Sequence, residues 1–200
     1  MPTTFTHTFF AVAAGGAISR RRMPARFWIL LAICAVLPDL DVIGLRLGVP
    51  YDSVFGHRGL MHSLPFAAAL SIAAVLLGFR EPPLFSRKWW ALLGCLFVVC
   101  ASHGLLDAMT NGGLGVALFS PFAEARYFLP WRPIQVSPIG IRNSLTVWGI
   151  RTILSEILWI WIPMSLLWLA ARRMSGVRTR KSAAGNSDRT TDESSAGKRV

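Results

Sequence analysis

The chain has 200 residues, a net charge of +11, 53% hydrophobic residues and only 16% charged ones. A soluble domain carries about 25% charged residues, and the mean hydropathy here is +0.48, so a membrane protein is favoured over a large soluble core. The basic residues stand in separated blocks beside apolar segments, which is the layout of a membrane orientation signal and speaks against a nucleic-acid partner.

The first apolar run, Phe9 to Ile18, is ended by Arg20-Arg21-Arg22. A cleavable signal peptide carries its charges before the apolar run, so none is read here. The second run, Phe27 to Leu37, is expected to stop at Pro38. Both fall short of the ~20 residues that span a bilayer core. They are expected to form a helical hairpin that crosses in part or tilts against its neighbours. Leu64 to Phe79 is a third apolar segment, with Ser63 placed to cap its first turn and Pro65 at an early helical position.

Trp89 to Met109 is long enough to span, and Trp89 and Trp90, after Arg87-Lys88, read as an interfacial belt. A loop rich in Gly, Pro and Phe runs from Thr110 to about Asn143, and Thr146 to Ala171 forms the last helix, ended by Arg172-Arg173. The tail from Ser175 to Val200 is polar and basic with almost nothing to bury, which predicts disorder. The expected architecture is all-α: a multi-pass transmembrane helical bundle over residues 1–174 and a disordered cytoplasmic tail over 175–200. Cys34, Cys95 and Cys100 lie inside apolar segments without CxxC spacing, so they read as small buried hydrophobes.

Placing Arg172-Arg173 on the cytoplasmic side, as the positive-inside rule asks, brings Arg87-Lys88 and the Arg20 to Arg26 block to the same side. That choice sends Asp39, Asp41, His57, His62, His103 and Asp107 to the outer face. His7 joins them if the first run also crosses.

These residues carry the chemical signal. All four histidines, and all four aspartates before the tail, fall in a few short clusters or at His7. Charge in an apolar chain is costly unless paired or bound to metal. His103 and Asp107 are four apart on one helical face, ~21 and ~27 Å along from Trp89; the pair can bind metal or form a plain hydrogen bond. Asp39 and Asp41, after the proline, are expected to share a face of an extended segment, or to cap a turn. His57 and His62 are five apart, which a regular helix would splay; a loop leading into a helix start would bring them together. Asp52 reads as an exposed loop residue. Four histidines and three aspartates at one level exceed a tetrahedral zinc site. They suit two metals, or one metal with outer partners. Zinc, manganese and iron all match this donor set.

Glu156 sits inside the last helix, roughly one turn past Arg151. It pairs with that arginine or serves the site as general base. Arg58 is expected to neutralise developing charge. Arg126 and Arg132, with Arg142, are expected to bind an anionic substrate or to face lipid headgroups.

His7, the LPDLD of Leu37 to Asp41, the GHRGLMHS of Gly56 to Ser63, the SHGLLDAMTNGG of Ser102 to Gly113 and the loop ending near Pro138 together resemble the membrane-bound metal-dependent hydrolases. That bacterial and archaeal inner-membrane family includes LexA-regulated hydrolases. Met61 stands where the family often has threonine. The resemblance implies a multi-pass helical protein with a metal-hydrolase site. The expected function is therefore hydrolysis of a phosphoryl or acyl centre, in a lipid or lipid-linked substrate, with one or two divalent ions. The alternatives are a membrane metal-binding or stress-response protein without turnover, and a structural protein whose polar clusters cap the bundle.

Overall fold

The computed structural model describes residues 1–19, 23–138 and 146–174. Arg20-Arg21-Arg22, Arg142, Asn143 and the tail from Ser175 lie outside the described residues. Six α-helices organise the described chain: α1 (Thr4–Ile18), α2 (Ala25–Val36), α3 (Val42–Arg46), α4 (Leu64–Gly78), α5 (Arg87–Ala108) and α6 (Val147–Glu156). A π-helical turn, Ile157–Trp161, follows α6, and helix continues to Met174. No strand is present among the described residues; the loop after α5 contributes two isolated bridges, Thr110 with Ile134 and Val116 with Tyr127.

Among the described residues, three stretches are long and apolar enough to cross a bilayer: Ala25–Arg46, Arg87–Ala108 and Val147–Met174. The first differs from expectation. Pro38 does not end it, because the chain tightens into a 3-10 segment, Leu37–Asp41, with the proline at its first positions, and then resumes as α3. Proline lacks only a donor, and the start of a new helical segment does not need one. The LPDLD segment is therefore helical, not extended. At three residues per turn, Asp39 and Asp41 point in different directions.

Of the three spans, α5 is the central one and the most deeply buried, whereas Val147–Met174 is the least buried. Its Leu92, Leu96 and Val99 pack with Phe27 and Leu31 of α2, Val75 of α4 and Ala11 and Ala14 of α1. The three cysteines are free and buried in this same core. Elsewhere large apolar side chains face outward, among them Ile29, Ile33, Leu77, Leu158 and Leu166. Lipid tails are as apolar as these side chains, so helices associate through close packing and small residues. Gly16 is such a position: a Cβ there would lie 2.5 Å from the indole nitrogen of Trp168, so any larger residue would require that ring to shift.

Local signals fix the helix starts. Ser63 caps α4 by accepting from the Phe66 amide at 3.1 Å, and Ser86 caps α5 by accepting from the Trp89 amide at 3.2 Å. Of the two tryptophans expected as an interfacial belt, Trp90 is exposed, whereas Trp89 is buried against Phe85 and Trp90. Helix α1 begins at Thr4, before the apolar run proper, and so carries His7 inside the bundle.

Candidate metal centre

Four segments deliver the polar residues to one place. His7 comes from the second turn of α1, and Asp39 and Asp41 from the 3-10 segment. His57, Arg58 and His62 come from the loop before α4, and His103 and Asp107 from the end of α5. The loop is held in an unusual course: Arg58 adopts φ of +62°, a left-handed conformation that costs a non-glycine residue energy and clusters at functional sites. The loop also lies directly on α5. A Cβ at Gly104 would stand 2.3 Å from the His62 carbonyl oxygen, so glycine at this position is what lets His62 reach His103.

Two of the imidazoles, His57 and His103, are oriented by a hydrogen bond at Nδ1. His57 Nδ1 lies 2.6 Å from Asp41 Oδ1, and His103 Nδ1 lies 2.8 Å from the Ala35 carbonyl. Each bond puts the proton on Nδ1 and leaves Nε2 as a lone pair, the arrangement typical of metal-ligating histidine. His62 Nδ1 stands 3.0 Å from Asp41 Oδ2, although its angle is not that of a hydrogen bond. His62 Nε2 and His103 Nε2 then face each other at 3.1 Å. The pair is close enough to share one proton as an Nε2–H···Nε2 hydrogen bond, the place that a metal ion would take. The rings of His7 and His103 stack with centroids 3.8 Å apart.

The carboxylates close the cluster. Asp39 Oδ1 is 3.3 Å from His103 Nε2 and 3.7 Å from His62 Nε2. Asp107 Oδ2 is 3.4 Å from His62 Nε2, and Asp107 Oδ1 is 3.5 Å from His7 Nε2. Nine buried side-chain nitrogen and oxygen atoms lack a hydrogen-bond partner among the described residues. Seven of them lie here: both ring nitrogens of His7, Asp39 Oδ1, Arg58 Nε, His62 Nδ1 and both oxygens of Asp107. All of these but His7 Nδ1 sit at ion-pair distance without hydrogen-bond geometry. Ligands around a tetrahedral zinc with bonds of ~2.0–2.1 Å stand ~3.3–3.4 Å apart, close to the separations found. His7, His103 and Asp107 bring one donor atom each within 4.8 Å of one another, and so do Asp39, His57 and His62. These donors fit a divalent ion. Without one, burial opposes the imidazolium of His62, but the carboxylates of Asp107, Asp39 and Asp41 outweigh it and hold its pKa well above the usual histidine value.

Asp41 belongs to neither group of three. Besides His57 and His62 it accepts the Arg58 amide at 3.1 Å. Arg58, nearly fully buried, spends its guanidinium within the protein: Nη1 donates to the Gly112 carbonyl at 2.8 Å, Nη2 to Thr110 Oγ1 at 3.0 Å, and Nε faces Asp107 Oδ2 at 3.2 Å. Arg126 donates to the carbonyls of His57, Tyr51 and Ser53 at 3.0–3.2 Å, stapling the loop that carries the histidines. Arg132 is exposed over the Phe128 ring at 4.7 Å, and Asp52 is exposed as expected.

Glu156 does not pair with Arg151. Buried at the junction of α6 and the π-helical turn, it accepts from the Thr3 amide at 2.5 Å, the Thr3 hydroxyl at 2.7 Å and the Thr6 hydroxyl at 2.6 Å. It thus holds the start of α1, one residue before His7. Nothing in the spacing of Thr3, Thr6 and Glu156 announces this bond, because it joins positions 150 or more residues apart. The Thr110 hydroxyl under Arg58 and the Ala35 carbonyl behind His103 were equally hidden in the sequence.

The sequence profile of the YdjM inner membrane protein family matches residues 1–178. The chain belongs to that family. The inner membrane protein YbcI of Escherichia coli (strain K12) is 37% identical over 181 residues, covering 86% of this chain and 100% of that protein. No solved structure matches the chain. It is therefore an inner-membrane protein embedded in the lipid bilayer, with buried His/Asp groups able to hold a metal ion.

Proposed function

We propose that this protein is a metal-dependent hydrolase of the inner membrane. One or two divalent ions would be held by His7, Asp39, His57, His62, His103 and Asp107. The observation that carries the reading is the pair of facing imidazole nitrogens of His62 and His103, ringed by carboxylate oxygens without hydrogen bonds. Imidazole mixed with carboxylate suits zinc best, with manganese and iron next. A divalent ion held there would supply Lewis-acid chemistry, lowering the pKa of water to about 7 and polarising a phosphoryl or acyl oxygen.

The protein's own groups divide the remaining work. Asp41 orients the imidazoles of His57 and His62, and Arg58 holds Asp107. Both are positioning residues in this reading, as is Glu156 through its grip on the start of α1. Asp39 is the carboxylate at the rim. Its side chain is 8% exposed while those of the other candidate ligands are 0–3%, so it is the acid able to pass a proton between the centre and the outside. Arg132 is free to meet an anionic substrate, and Arg126 contributes by holding the loop. Arg87-Lys88 begin α5 and His103 and Asp107 end it, which supports a centre at the outer face with the chain's basic ends, including the tail, in the cytoplasm.

The test is metal content by mass spectrometry on detergent-purified protein, wild type beside His57→Ala and His103→Ala. Phosphodiester and lipid-ester substrates follow. Bound ions lost in both variants, with turnover lost alongside, are the expected outcome. No bound ion after reconstitution with zinc, manganese and iron would remove the mechanism. The burial of every candidate ligand except Asp39 favours one second reading, a metal-binding protein without turnover; it predicts metal retained and every such substrate left intact.

A further inference from the structure

A groove of about 510 Å³ opens beside the centre, lined by Thr4, Phe5, Thr8, Phe9 and Trp161. That volume lies within the range of small-molecule sites. Its walls are the first two turns of α1 and the π-helical turn after Glu156. Phe5 is 81% exposed, so the groove opens outward into the apolar surroundings of the bundle.

Three observations give the groove an occupant. First, its back wall is fixed. The Trp161 indole stacks on Phe9 with centroids 5.0 Å apart and donates from Nε1 to Thr6 Oγ1 at 2.8 Å. The same Thr6 hydroxyl donates to Glu156 at 2.6 Å, so the network that seats His7 also sets this wall. Second, the wall is aromatic and hydrocarbon, and of its two hydroxyls that of Thr8 is satisfied by the Thr4 carbonyl at 3.0 Å. Third, the groove leads to the centre. The Thr4 hydroxyl lies 3.5 Å from Asp39 Oδ2, and Asp39 is the one candidate ligand whose residue is not fully buried. A chain lying in the groove therefore ends at the exposed edge of the centre.

The geometry points to a lipid substrate: one hydrocarbon chain of a membrane lipid lies along Phe5, Phe9 and Trp161, and its polar linkage meets the His/Asp centre past Thr4. This rests on the hydrolase reading above and names its substrate class. In a bilayer the competing occupant is bulk lipid, so the groove gains nothing from hydrophobic transfer. Its contribution is to align one chain with the centre and to bring the adjoining bond to Asp39.

The experiment places the full chain in nanodiscs of equal parts phosphatidylethanolamine and phosphatidylglycerol, doped with phosphatidylglycerol carrying a diazirine in one acyl chain. After illumination, labelled residues are mapped by peptide mass spectrometry and metal content is measured on the same samples. The expected result is an excess of label on Phe5, Phe9 and Trp161 over the lipid-facing residues Ile150, Ile153 and Leu154. Thr8→Trp, which fills the groove, removes the excess, and Leu166→Trp, on the lipid face of the last helix, leaves it. If Thr8→Trp fails to fold, Phe9→Trp, at the ring that stacks on Trp161, supplies the same test. Label spread evenly over all lipid-facing residues, or an excess unmoved by both groove variants, overturns the proposal. Metal content separates the two failures: even labelling with bound metal sinks the groove alone, whereas missing metal sinks the hydrolase reading and this inference with it.

Discussion

Gly104→Ala tests the centre without touching any ligand. The added Cβ would stand 2.3 Å from the His62 carbonyl oxygen, roughly an ångström short of ordinary contact. The obstacle is backbone on both sides, so no side chain can swing away. The loop carrying His62 must lift from α5. His62 Nε2 then leaves its position 3.1 Å from His103 Nε2, and a metal site tolerates only ~0.2 Å of error in its distances. The strain is of the order of 1–3 kcal/mol, which a bundle with this core survives. Metal affinity should fall about 10–100-fold or more, by analogy with lost outer-shell support. The assay is competition with a chromophoric chelator in detergent, with helix content by circular dichroism and elution volume as folding controls. A folded Gly104→Ala protein that binds metal as tightly as wild type would refute the geometry argued for His62 and His103.

Asp41→Asn should weaken metal binding about 10–100-fold, because an amide cannot accept from His57 and balance His62 at once; the same chelator competition reads it. Arg58→Ala leaves Asp107 buried with one countercharge fewer and should destabilise the protein by about 3–5 kcal/mol, seen as a lowered midpoint in thermal unfolding in detergent. Glu156→Ala strands the Thr3 amide and the Thr6 hydroxyl and should cost about 1–3 kcal/mol, whereas Glu156→Gln keeps an acceptor and should lose less. Metal binding should tighten as pH rises through the neutral range. The raised pKa of His62 keeps a proton where the ion must bind, so protons compete until pH exceeds that value. Calorimetry in buffers of different ionisation enthalpy should find about one proton released per ion, and a pH-independent affinity would refute the assignment.

The sequence by itself determined the solvent and which residue types gather as candidate ligands. A chain with 16% charged residues has to live in lipid, and its apolar runs gave four of the helices to within a few residues. The one-face spacing of His103 and Asp107 and the loop-to-helix course of His57 and His62 were legible because helical periodicity and capping are local. Tertiary structure decided the rest. Pro38 was misjudged because a 3-10 segment continues the second span without needing its missing donor. Asp39 and Asp41 accordingly separate: one reaches the imidazole nitrogens of His62 and His103, the other stands behind His57 and His62. Arg58 and Glu156 show the same limit. Sequence marks them as buried charge that needs a partner, but their partners, Asp107 and the Thr3–Thr6 turn, lie 49 or more positions away, and only the packing of α1, α5 and α6 chooses them. Burying a charge fixes that it must be satisfied; which distant group satisfies it depends on how the helices meet.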